Sequence, residues 1–171
     1  MYAQRQTRSH AAPRGRYNPR TPHPPARARI GLAMRRSMNF GPLGDVEPIM
    51  QGEGLALAPM STGDASLNIG GVSVLPTAVP ADLGAGKLQG LVVPGGDSDA
   101  EGGAALMDLL SRAKASGLPV LAFGEGVART VEAFGGEPRN FVDAPAVLAE
   151  GERLTPLGDR DQVRAAAARV G

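Results

Sequence analysis

Two apolar runs, "LQGLVVPGG" (88–96) and "LPVLAF" (118–123), flank a stretch patterned as a helix, and this alternation restricts the fold more than any other feature of the chain. Each run is short, uncharged and bounded by Gly or Pro, the signature of a strand covered on both faces. Between them Leu106, Leu109, Leu110 and Ala113 fall at i, i+3, i+4 and i+7, which places one apolar stripe along a helix. Asp97, Ser98 and Asp99 supply capping groups and negative charge at its start. Gly117 suits a left-handed stop, and Pro119 prevents continuation. A strand, a crossover helix and a second strand of this kind pair in parallel.

The rest of the body repeats the pattern. "ARIGLAM" (28–34) and "GLALAPM" (54–60) read as strands, separated by a loop holding "SMNFGPLGD" and a short helix near 45–52 in which Pro48 is tolerated only in the first turn. "SLNIGGVSVL" (66–75) predicts a hairpin, with Gly70-Gly71 supplying the positive φ of a tight turn. A helix over 126–134 follows "LPVLAF". "PAVLAEGERLT" (145–155) predicts a hairpin around Glu150-Gly151. The last helix, 159–170, turns Val163, Ala166, Ala167 and Val170 inward. The expectation is an α/β three-layer sandwich, with a mostly parallel sheet and helices on both faces. Aromatics make up only 4% of the chain, so Leu, Val, Ile and Ala must fill the core.

Charge divides the chain in two. Arg5, Arg8, Arg14, Arg16, Arg20, Arg27, Arg29, Arg35 and Arg36 precede the first acidic residue, Asp45, and leave nine of the 18 Lys and Arg against all 17 acids in the remainder. Segments such as "RTPHPPARAR" lack the apolar side chains that offset ordering entropy, so residues 1–27 are expected to be a disordered Arg/Pro-rich leader and 28–171 the folded domain. The leader admits three readings: a tail that seeks nucleic acid or another polyanion, a targeting segment without a secretory apolar stretch, or an extension without function. No apolar run approaches the roughly 20 residues of a membrane span, and an intracellular, cytoplasmic protein with no membrane contact is expected.

The centre of the chain, "LQGLVVPGGDSDAEGGAALMDLLSRAKASGLPVLAFGEGVART", resembles the ThiJ/PfpI superfamily, the class I glutamine amidotransferase-like fold. That family shows a strand ending in L-P-G-G, a helix, and a strand ending in A-x-C-x-G. "NFVDAPAVLAEGERLT" is similar to its late hairpin segment. The resemblance spans roughly Ile30 to Val170, with an atypical loop after the first strand and a short segment between Gly136 and Asn140. It implies a flavodoxin-like sheet and a homodimer.

The same resemblance places Gly124 where the family carries its elbow Cys, and Glu125 where a His often follows. A thiolate or alkoxide attacks a carbonyl carbon; a glycine hydrogen does not. The chain has no Cys, and its two His, His10 and His23, lie in the leader. "PGG" (94–96) keeps the backbone that helps form an oxyanion hole in amidotransferase relatives. The family's Glu after the first strand falls in a window holding Asp45 and Glu47, without a unique match. The expectation is therefore a degenerate member: a catalytically inactive regulatory or scaffolding module that binds a protein or a ligand, with no cofactor and no metal. Its vestigial elbow pocket, formed by Gly95, Gly96, Gly124 and Glu125 with Asp45 or Glu47, suits a small carboxylate.

Two alternatives stay open. An amidotransferase- or hydrolase-like enzyme would use Glu125 with Asp45 or Glu47 in place of the thiol, whereas the plainer reading makes Glu125 a cap of the following helix. A nucleic-acid-associated protein would act through the leader arginines. "GEGVAR" is not a dinucleotide fingerprint, since Arg129 stands at the third Gly position. "GGDSDAEGG" lacks the ligand spacing of a calcium loop, and Arg112 and Arg129 read as solvated charges.

Overall fold

The computed structural model describes residues 26–62, 67–69 and 72–170. In chain order the first half runs β1 (Ala28–Ala33), β2 (Arg36–Asn39), α1 (Glu47–Gly52), β3 (Leu55–Met60), β4 (Leu67–Ile69), β5 (Val72–Val74) and α2 (Ala81–Gly84). The second half runs β6 (Leu91–Val93), β7 (Gly95–Asp97), α3 (Ala100–Ala115), β8 (Val120–Phe123), α4 (Gly126–Ala133), β9 (Ala146–Glu150), β10 (Arg153–Leu157) and α5 (Arg160–Arg169). The main sheet has six strands in the order β10-β9-β8-β6-β1-β3. Its β3, β1, β6 and β8 are parallel, while β9 and β10 join as an antiparallel hairpin at one side. The expected α/β sandwich with a mostly parallel sheet is the observed architecture.

Alternation along each central strand divides two cores. Leu91, Val93, Val120, Ala122, Val147 and Ala149 face one way, against Leu106, Leu109, Leu110 and Ala113 of α3 and Val127 and Val131 of α4. Val92, Leu121, Phe123, Ala146 and Leu148 face the other way, against Ile49 and Met50 of α1 and Val163, Ala166 and Ala167 of α5. Strands buried on both faces need this two-sided apolar supply, which is why their sequences are continuous apolar runs rather than alternating ones. Asp99 caps α3, accepting from the Gly102 amide at 2.7 Å, as the sequence predicts.

Two segments depart from the sequence reading. The run 88–96 is not one strand: β6 stops at Val93, Pro94 has no amide to donate, and Gly95–Asp97 turns away to pair antiparallel with β2. Correspondingly, part of the expected loop after β1 is strand, Asn39 pairing with Gly95 and Arg36 with Asp97 across a bulge. Gly96 makes this close ladder feasible. Its φ is +149°, and a Cβ there would lie 2.5 Å from the Arg36 carbonyl oxygen.

The hairpin β4–β5 is present, and its Gly70-Gly71 turn lies outside the described residues. So do residues 1–25 of the leader. Arg27, assigned to the leader by composition, donates from Nε to the Glu53 carbonyl at 2.9 Å, from Nη2 to the Ala167 carbonyl at 2.8 Å and from Nη1 to the Val170 carbonyl. It thereby adds hydrogen bonds to carbonyls at the ends of α1 and α5. Among the described residues no helix is long and apolar enough to cross a membrane.

Candidate functional site

The carboxyl ends of β6 and β8 meet the loop after β1, and the candidate site is built there. β8 ends at the buried Phe123, Gly124 turns with φ +52°, and α4 begins two residues later. Gly126 lets the helix start directly on the sheet, since a Cβ there would lie 2.8 Å from the carbonyl oxygens of both Val93 and Pro94. The strand-turn-helix elbow expected from "AFGEG" is therefore present, with glycine at its apex.

The loop facing the elbow is pinned from three directions. Phe40 packs edge-on against Phe123, with ring centroids 5.3 Å apart and planes at 89°. Arg160, at the start of α5, donates from Nη1 to the carbonyls of Leu43 and Asp45 at 2.7 and 2.9 Å. The β2–β7 ladder holds the near end. These ties bring Asn39 and Gly41 against Gly124: a Cβ on Gly41 would lie 3.3 Å from Gly124 Cα, and one on Gly124 would lie 3.6 Å from Asn39 Oδ1. Asn39 holds its own position by accepting from the Gly41 amide at 2.9 Å and donating to the Ser37 carbonyl at 3.1 Å.

Glu125 does not cap α4. Its backbone is helical and its side chain makes no capping hydrogen bond; instead Oε2 reaches across to accept from the Gly96 amide at 3.0 Å. A residue already in helical φ/ψ cannot fold its side chain back onto the amides two or three positions ahead as an extended cap does, so the carboxylate finds the nearest donor on the neighbouring strand. Gly95 leaves the room: a Cβ there would overlap Glu125 Oε2 and lie 3.0 Å from Asn39 Oδ1.

Beneath this contact lies Arg35, buried although charged. Its Nε donates to Ser98 Oγ and its Nη1 to the Pro94 carbonyl, both at 3.2 Å. Burial holds its pKa below the ordinary arginine range; Glu125 opposes that, Arg129 adds to it by repulsion, and Asp97 opposes it again. A buried arginine under the Pro94–Gly96 turn fixes the turn's carbonyl and places positive potential below the Glu125 carboxylate.

Of the residues predicted for the site, Gly95, Gly96, Gly124 and Glu125 come together. Asp45 and Glu47 are engaged at the start of α1, where Asp45 Oδ1 accepts from the Glu47 amide at 3.0 Å and Glu47 Oε1 accepts from Gln51 at 3.1 Å. Neither is hydrogen-bonded to Glu125. Arg35, Asn39 and Gly41 were not singled out from sequence. The one local signal was an arginine interrupting an apolar run at the end of "ARIGLAM", a position at which a charge must find buried acceptors.

No family model matches the chain, and no curated protein matches it. Solved structures do. Oxidized DJ-1 of Toxoplasma gondii is similar with TM-score 0.53 and 17% identity, over 82% of this chain and 86% of that one. The fold is that of the DJ-1/ThiJ/PfpI superfamily. A ThiJ/PfpI family protein from Pseudomonas syringae is similar with TM-score 0.51 and 17% identity, over 84% of this chain and 69% of that one. An AraC family transcriptional regulator from Pseudomonas putida is similar with TM-score 0.51 and 15% identity, over 82% of this chain and 86% of that one. A fold that houses such different proteins does not by itself assign a function.

Proposed function

We propose that this chain is a degenerate ThiJ/PfpI-like module that has kept the DJ-1-type scaffold, lost the elbow chemistry, and works by binding, in a regulatory or scaffolding role. The supporting observation is Gly124. The elbow is built, the loop facing it is pinned, and the apex carries no side chain. With no Cys in the chain, no other thiol can be delivered there. Glu125, the acid at the elbow, is hydrogen-bonded to Gly96, while Asp45 and Glu47 serve α1. This favours binding over a carboxylate-driven hydrolase.

The test is catalytic. Wild type and Glu125→Gln are assayed for burst and steady-state hydrolysis of p-nitrophenyl acetate and for ammonia release from glutamine. Neither should exceed buffer. Wild-type turnover that disappears in Glu125→Gln would establish the carboxylate enzyme instead. Affinity capture with the full chain and with a chain beginning at Pro25, with and without nuclease, then separates a protein partner of the body from a nucleic acid held by the leader arginines. Binding of the second kind should collapse as salt rises.

A further inference from the structure

We infer that the Gly95–Gly96 turn is a binding site for one carboxylate group and that Glu125 is its built-in ligand, so the site is closed to free carboxylates until that side chain leaves. The cradle is made by what its residues lack. Gly95 has no Cβ, and one there would take the volume of Glu125 Oε2. Gly96 offers its amide to that oxygen at 3.0 Å. Gly124 adds no side chain at the elbow, and Asn39 Oδ1 stands beside both glycines, 3.0 Å from where a Cβ on Gly95 would lie and 3.6 Å from one on Gly124. Arg35 lies buried beneath, with Ser98 Oγ and the Pro94 carbonyl as its hydrogen-bond partners and with an attractive interaction with Glu125.

A backbone donor, a buried cation and glycine-shaped space are the ingredients of an oxyanion site. Here the anion comes from the next residue along the elbow. Held covalently, Glu125 sits at an effective concentration that free formate or acetate cannot match at millimolar levels. This inference concerns occupancy and not catalysis, so it stands or falls apart from the inactive-module reading.

The test is chemical rescue. Glu125→Ala removes the internal ligand while Gly95, Gly96 and Arg35 remain. Sodium formate and acetate should raise the Tm of Glu125→Ala above that in sodium chloride of equal ionic strength, by about 3–5 °C at ten times Kd. Wild type should show no such difference, and Gly95→Ala combined with Glu125→Ala should lose the response because the added methyl fills the cradle. A Glu125→Ala protein indifferent to formate, or a wild type that gains as much as the variant, overturns the inference. Amide hydrogen exchange in the wild type provides a readout that does not require the variant to fold: the Gly96 amide must be protected, and rapid exchange there would show that Glu125 does not hold it.

Discussion

If Glu125 occupies the space left by Gly95, the two positions must be energetically coupled, and the coupling can be worked out beforehand. Gly95→Ala places a methyl where Glu125 Oε2 now lies. The carboxylate must swing out and the buried Gly96 amide loses its acceptor. A hydrogen bond to a charged group contributes about 1.5–3 kcal/mol, and because Glu125 is otherwise exposed to solvent about 1–2 kcal/mol is the reasonable expectation here. Against this, Gly95 has no positive φ, so alanine reduces unfolded-state freedom and returns about 0.4–1 kcal/mol. The net loss for Gly95→Ala is then about 1 kcal/mol. Once Glu125→Ala has removed the carboxylate, the same methyl meets no Oε2, and the approaches to Asn39 Oδ1 at 3.0 Å and to the residue 125 backbone nitrogen at 3.3 Å remain. Those approaches are present in both backgrounds and cancel in the cycle. The double-mutant cycle should give a coupling of about 1–2 kcal/mol, clear of the roughly 0.3–0.5 kcal/mol within which independent sites add. Urea unfolding followed by far-UV circular dichroism is the suitable assay, because the chain has no Trp and its two Tyr, Tyr2 and Tyr17, lie in the leader. Additive losses would refute the packing argument.

Other perturbations test neighbouring parts of the structure. Gly124→Cys should fold, since its Cβ would make only ordinary contacts of 3.5–3.7 Å, but at φ +52° it should lose about 1–2 kcal/mol and present the protein's one thiol to an aromatic disulfide reagent. A thiol unreactive in the folded state would contradict the half-buried, reagent-accessible position of the elbow apex. Thr130 is fully buried and its hydroxyl has no hydrogen-bond partner among the described residues, so Thr130→Val should stabilise by about 1 kcal/mol in urea titration; a loss would show that the hydroxyl is hydrogen-bonded. Arg35→Met should cost about 2 kcal/mol by stranding the buried Pro94 carbonyl, which loses its Nη1 donor. Arg35 is a base whose folded pKa is depressed, so its burial penalty is constant while both states are protonated and is relieved only as pH rises through the lowered value. The stability difference between wild type and Arg35→Met should therefore be flat between about pH 6 and 8, and a slope there would count against this assignment.

Much of the molecule was legible in the chain because local rules and tertiary demands agree. Leu106, Leu109, Leu110 and Ala113 specify a helix face, and the face they specify is the buried one. The runs around Val92 and Leu121 are apolar on both faces because both faces are covered. The elbow could be placed at Gly124 because strand, glycine and helix follow one another within a few residues. By contrast, the partners of that elbow were not legible. Asp45 and Glu47 fell in the right window by residue type, yet the groups that reach Gly124 are Asn39 and Gly41.

The reason is one of distance along the chain. A strand or helix is selected by residues a few positions apart, whose energies depend on periodicity and backbone freedom, so the sequence by itself determined most of the elements, their burial and the absence of a thiol. Which donor Glu125 would take, and that Pro94 would break β6 so that Gly95–Asp97 could pair with β2, depended on segments about 30 to 60 residues apart. Only the packed sheet, with Phe40 on Phe123 and Arg160 holding the loop, brought those segments within hydrogen-bonding reach.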